Sequence, residues 1–100
     1  MMAVNPMFDW IYSDRLLICN GKTYRFKPQQ ADIINLLLIA GGRVTVRDLF
    51  EMLHPEIEFN PTYGWLLATR IKKINRVFEA VGLKIKALGQ QRWIDCGVVT

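Results

Sequence analysis

One hundred residues, 51% of them hydrophobic and 22% charged, suffice for one modest core and are too apolar for a disordered chain. The longest apolar run, Leu36 to Ala40, falls far short of the roughly 20 residues that cross a bilayer, and Met1 to Pro6 lacks the basic-then-apolar pattern of a secretory signal. Cys19 and Cys96 are too few and too far apart for a disulfide framework or a metal knuckle, so a cytoplasmic protein with reduced thiols and no bound metal is expected.

Taken in order, Met7 to Tyr12 alternates Phe8, Trp10 and Tyr12 with polar neighbours, the signature of a half-buried strand. Ser13-Asp14 reads as a turn and Arg15 to Cys19 as a second strand. Asn20-Gly21 reads as a two-residue hairpin turn and Lys22 to Phe26 as a third strand, because both turn residues tolerate positive φ. Pro28 then opens a helix reaching Ala40, where its fixed φ and missing N–H do no harm, and Gly41-Gly42 stops it. Ile33, Ile34, Leu36, Leu37 and Leu38 are spread widely enough to bury most of this helix. Arg43-Val44 is a short extended link. Thr45, with Asp48 three residues on, caps a second helix from Val46 to Leu53 whose inward residues are Val46, Leu49, Phe50 and Leu53.

Pro55 forbids continuation, and His54 to Pro61 forms a loop in which Glu56 and Glu58 alternate with Ile57 and Phe59. Thr62 to Val81 reads as one long helix closed by Gly82. Positions three and four apart share a helix side, so Leu67, Ile71, Ile74, Phe78 and Val81 form a core-facing stripe. The opposite side collects Trp65, Thr69, Lys72, Lys73 and Arg76. Arg70 falls nearer the edge, where it is expected to bridge to the sheet. Leu83 to Leu88 is an outgoing strand with Lys84 and Lys86 on one side, Gly89-Gln90-Gln91 a turn, and Arg92 to Cys96 the returning strand, with Trp93 expected beneath the hairpin.

Net charge is +4 and unevenly placed. Thr62 to Ile94 holds seven basic residues (Arg70, Lys72, Lys73, Arg76, Lys84, Lys86 and Arg92) against Glu79 alone, for +6; six basic and eight acidic residues elsewhere bring −2. A solvated helix face usually mixes both signs. A one-signed face carrying an indole and a hydroxyl suits a helix laid in a nucleic-acid groove, and a polyanion is the economical partner.

Across the segments FKPQQADIINLLLIAGGRVTVRDLFEML and TRIKKINRVFEAVGLKIKALGQQRWI, the chain resembles the OmpR-type effector domain of response regulators. Pro28 resembles that family's helix-opening "TP-E" proline, and Gly42 to Leu49 its "GRV-S-R--L" segment. Ile71-Lys72-Lys73-Ile74 resembles its "I--LR" recognition helix, and Ile85 to Gly89 its "I-TV-G" wing. The likeness runs from about Arg15 to Ile94. Two departures stand out. One hundred residues leave no room for the receiver domain that usually precedes this effector, which suggests a stand-alone form of phage or mobile-element type. Gln90-Gln91 also occupies the wing tip where the family shows Gly-x-Gly-Tyr.

The resemblance implies an α+β winged helix-turn-helix in a single domain over 1–100: an antiparallel sheet over 7–27, a three-helix core over 28–81 and a wing hairpin over 83–96. It implies sequence-specific double-stranded DNA binding by a small transcriptional regulator, as a monomer or a weak dimer on DNA. Trp65, Thr69, Lys72, Lys73 and Arg76 would enter the major groove, while Lys84, Lys86, Gln90, Gln91 and Arg92 would follow the backbone or the minor groove. Trp65 admits two readings: a base or sugar contact, or packing on Ile57 or Phe59. So does the loop of Glu56, Ile57, Glu58 and Phe59. In the resembled family it meets RNA polymerase, which supports the alternative of a protein-binding module that modifies host machinery; otherwise its apolar residues fold back onto the core. No catalytic set, metal site or cofactor is implied, and His54 has no companion ligand.

Overall fold

The computed structural model describes residues 8–95; Met7 and Cys96, placed in strands by the sequence, lie outside them. The described residues open with a meander of β1 (Phe8–Ile11), β2 (Leu16–Cys19) and β3 (Lys22–Arg25), paired antiparallel in that order. Asn20 and Gly21 take φ of 54° and 77°, the two positive values that a tight turn matched to strand twist requires. The first strand is shorter than its alternation suggests. Tyr12, Ser13 and Asp14 instead form a 3-10 turn that ends on Arg15 in the left-handed region, so Tyr12 is not a strand residue and Arg15 does not start β2. The cause lies twenty residues away: the Tyr12 hydroxyl donates to Asp32 Oδ1 on the next helix at 2.5 Å, drawing the chain out of the sheet.

Three helices follow: α1 (Pro28–Ala40), α2 (Val46–Leu53) and α3 (Pro61–Phe78), the last extended by a 3-10 turn over Glu79–Val81. Their ends are chemically specified. The Gln30 side chain accepts from the Lys27 N–H at the start of α1, Thr45 Oγ1 from the Asp48 N–H on α2, and Asn60 Oδ1 from the Thr62 N–H on α3. Gly82, at φ 77°, reverses the chain, and the Leu83 N–H then donates to the Phe78 carbonyl, closing α3.

A two-residue strand β4 (Val44–Thr45) between α1 and α2 pairs with β6 (Gln91–Asp95), which pairs with β5 (Lys84–Leu88), giving the order β4-β6-β5. Gln91 thus opens β6 rather than belonging to the turn, which is only Gly89-Gln90, glycine supplying the positive φ at the first position.

All elements share one core. Leu67, Ile71, Ile74, Phe78 and Val81 are buried as their spacing predicts, against Ile33, Ile34 and Leu37 of α1, Leu49 and Phe50 of α2, Leu17 of β2 and Ile85 of β5. Edge-on contacts at 6.0 Å from Trp10 to Phe26 and from Phe26 to Phe78 tie the amino-terminal sheet to α3. Among the described residues no polar or charged residue is buried, and no helix is long and apolar enough to cross a membrane.

Ile74, fully buried, should cost about 2–5 kcal/mol of stability when cut to Ala, read from urea unfolding. A second test concerns pH. The hydrogen bond and negative charge of Asp32 raise the Tyr12 phenol above its ordinary pKa of 10.0. A raised folded-state value means that this bond's stabilisation is complete below about pH 10 and is lost as pH climbs through the raised value. Tyr12→Phe should therefore lower the urea midpoint slightly at pH 7, and the gap to the parent protein should close in alkali.

Candidate nucleic-acid interface

The geometry of α3 follows from its stripe. With Leu67, Ile71, Ile74 and Phe78 inward, a turn of roughly 100° per residue sets Trp65, Thr69, Lys72, Lys73 and Arg76 within an arc of about 100° on the far side. From Trp65 to Arg76 this face runs about 16 Å along the axis. Trp65, Lys72, Lys73 and Arg76 are exposed and Thr69 is half-exposed. None of the three cations has an ion-pair or hydrogen-bond partner among the described residues. The Thr69 hydroxyl spends its proton on the Trp65 carbonyl at 3.1 Å, so towards a ligand it presents lone pairs.

Trp65 does not close the preceding loop. It is 68% exposed, and the packing expected on Ile57 or Phe59 is absent. Tyr63 takes that role: its ring stacks on Phe50 at 4.6 Å, while Phe59 meets the same ring edge-on at 5.5 Å and the His54 ring lies 5.2 Å away. Tyr63 lies four residues before Leu67, hence on the inward side, whereas Trp65 is turned roughly 200° from it. The loop of seven residues, 54–60, is thereby fastened to α2 through one phenylalanine. Phe59 folds back; Glu56, Ile57 and Glu58 remain exposed. Arg70 lines a small hollow with Phe50, His54, Ile57 and Leu66, so it borders this loop rather than bridging to a sheet.

The hairpin stands beside α3, and between them runs a groove of about 660 Å³. Lys72 and Arg76 line one wall, Lys84 and Lys86 the other, with Arg92 also present and Glu79 as the one acid. Strand alternation and register divide the hairpin's residues. Ile85, Ala87, Arg92 and Ile94 share one face, while Lys84, Lys86, Leu88, Gln91, Trp93 and Asp95 share the other. Trp93 is therefore not beneath the hairpin with Ile94. It is half-buried on the opposite face, covered by the Arg43 guanidinium 4.5 Å above its ring, and Arg43 also donates to Gln91 Oε1.

The wing cations are not equally available. Lys86 Nζ pairs with Asp95 Oδ2 at 2.6 Å, and one Arg92 nitrogen donates to the Gly89 and Gln91 carbonyls at 2.8 Å each, stiffening the turn. Lys84 is exposed and has no such partner among the described residues. The hairpin is also short. Thr45 pairs with Gln91, and the Val46 N–H donates to the Gln90 carbonyl at 2.8 Å, so the turn is tied to the start of α2 and no arm extends past the sheet.

The residue that sets the groove's geometry is Asn75. Its amide Nδ2 donates to the Ile85 carbonyl at 3.1 Å and its Oδ1 accepts from the Ile85 N–H at 2.7 Å. One side chain thus replaces a neighbouring strand at this point on the edge of β5. Sequence reasoning missed both Asn75 and Arg43. A mid-helix asparagine bordering an apolar stripe is a weak helix former, and that was the available signal. No sequence signal pairs Arg43 with Trp93, because their proximity depends on the register of β4 against β6.

Three helices, with a two-residue strand between the first two pairing into a carboxy-terminal hairpin, define a winged-helix layout. Comparison with protein-family models, with characterised proteins and with solved structures finds no match. Among the described residues no group of three or more His, Cys, Asp or Glu side chains converges to hold a metal ion.

Because Trp65 touches so little, Trp65→Ala should change folding stability by less than about 0.5 kcal/mol. The same substitution should remove the part of the protein's fluorescence most readily quenched by iodide, since Trp10 and Trp93 are both half-buried.

Proposed function

We propose that this protein is a double-stranded DNA-binding winged helix, a small transcriptional regulator of the kind its OmpR-type resemblance implies. The observation that carries the reading is the outer face of α3: Lys72, Lys73 and Arg76 project from a helix whose other face is buried, with no acidic partner among the described residues. A major groove about 12 Å wide admits one helix and is read from that helix's exposed side. Arg76 and Lys72 can donate to guanine O6 and N7. Trp65 offers an apolar surface to a thymine methyl, and Thr69 offers an acceptor to an exocyclic amine. Lys73 and Lys84 then serve as phosphate contacts. Gln90, Gln91 and Arg92 stay close to the helix-turn-helix, since the short hairpin does not reach out as an arm.

A second reading, a protein-binding module, draws on the exposed Ile57, Leu66 and Trp65 beside the 54–60 loop. Phe59, lodged on Phe50, contributes nothing to such a surface, so its substitution would test the core rather than a partner.

Salt separates the two. Binding to mixed-sequence duplex DNA should fall linearly in log–log terms with added salt, with a slope near −0.9 per neutralised phosphate, whereas an apolar interface hardly responds. Replacing Lys72, Lys73 and Arg76 together by Ala should abolish retention of the duplex at physiological salt. Where residual binding is measurable at low salt, the slope should be shallower by up to about 2.7. Circular dichroism should be unchanged. A triple variant that holds DNA as tightly as the parent would refute the DNA reading.

A further inference from the structure

The groove between α3 and the hairpin has two cationic walls, and one side chain joins them. Asn75 follows Lys72 by three residues and precedes Arg76; Ile85 lies between Lys84 and Lys86. The two hydrogen bonds from the Asn75 amide to the Ile85 main chain, at 3.1 and 2.7 Å, therefore fix the offset between the walls. Both bonds are part-buried, and the pair they form is directional: displacement of β5 along its own axis breaks both at once. Hydrophobic contact alone, from Ile85 and Leu83 in the core, resists separation of hairpin and helix but is non-directional and does not set their register.

We propose that Asn75 is a positioning residue for the DNA-binding surface, holding the wing cation Lys84 in register with Lys72 and Arg76 so that both walls engage one duplex. This rests on the DNA-binding reading and adds a role for a residue that itself need not touch the nucleic acid. Without the clamp, β5 stays in the sheet through β6, but its lysine row shifts against the helix from one molecule to the next. A phosphate contact made from a wandering position contributes little, because ordering it on binding costs the entropy the clamp has already removed. Lys73 provides the contrast. It lies on the outer face of α3 but does not line the groove, so its contribution does not pass through Asn75.

The test is a pair of double-mutant cycles on the full chain, with affinity for a mixed-sequence DNA duplex measured across a salt series. Asn75→Ala, and Asn75→Leu as a shape-conserving second variant, are each combined with Lys84→Ala and with Lys73→Ala. Amide hydrogen exchange at Ile85 reports the clamp directly and should accelerate about tenfold in either Asn75 variant. In the parent protein, Lys84→Ala should flatten the salt slope by about 0.9. In both Asn75 variants it should flatten it no further, whereas Lys73→Ala should have its full effect in either background. General loosening of the fold would weaken both lysines alike, so only a positioning role separates them. Independent, additive effects of Lys84→Ala and the Asn75 substitutions would overturn the proposal while leaving DNA binding intact. A parent protein showing no salt-dependent binding to the duplex would overturn this proposal and the DNA reading together.

Discussion

Burial of the α3 stripe is the constraint from which the rest of this structure is derived. Leu67, Ile71, Ile74 and Phe78 contact material from α1, α2, the amino-terminal sheet and the hairpin, so α3 has one rotational setting about its own axis. Rotating the helix to bring a lysine inward would bury an unpaired charge and expose several of these side chains, each worth about 1.5–3 kcal/mol of burial. The outward direction of Lys72, Lys73 and Arg76 is thus enforced by the opposite side of the helix. The aromatic series Trp10, Phe26 and Phe78 extends the same constraint to the amino-terminal meander, which acts as a backing for α3.

Electrostatically, the surface is more polarised along the helix than on the wing. By sequence the last third carries seven cations, but the fold does not present them alike. Lys86 is paired with Asp95, which lies one residue past the counted segment, and Arg92 is committed to main-chain carbonyls at the turn. Arg43, from outside the segment, joins the wing by lying over Trp93. Arg70 is half-buried beside the 54–60 loop, so among the described residues of that segment the freely presented charge is that of Lys72, Lys73, Arg76 and Lys84. A duplex would feel a strong helix and a modest flank, and the tie between Val46 and Gln90 keeps that flank from swinging outward.

How much of this was legible in the sequence depends on whether the signal was local. The starts of α1 and α2 were legible because Pro28 and Thr45 act within one turn, and the first hairpin because Asn20-Gly21 determines its own geometry. The start of α3 was less so: by sequence Pro61 reads as loop and Thr62 as the first helical residue, whereas Asn60 caps the helix and Pro61 opens it. The stripe was legible because its period is intrinsic to a helix. Features that depend on distant partners were not. Trp65 and Tyr63 are both aromatic residues at the start of α3, and size alone favoured burying the larger; helical phase puts Tyr63 on Phe50 and leaves Trp65 in water. Tyr12 continued a perfect alternation, yet a carboxylate twenty residues away redirected it. Asn75 presented only its modest helix propensity, since its function exists once β5 has returned alongside α3.

The Asn75 amide has a consequence beyond the groove. A strand on the border of a sheet offers unused N–H and C=O groups to any extended chain that drifts past, which is how folded proteins come to template one another into aggregates. On β5 that border is occupied at Ile85 by a side chain rather than by another strand, and Lys84 and Lys86 flank it with charge on either side. The same few atoms that fix the offset of the hairpin therefore also close this border at Ile85, where a passing chain would otherwise find a free N–H and C=O to pair with.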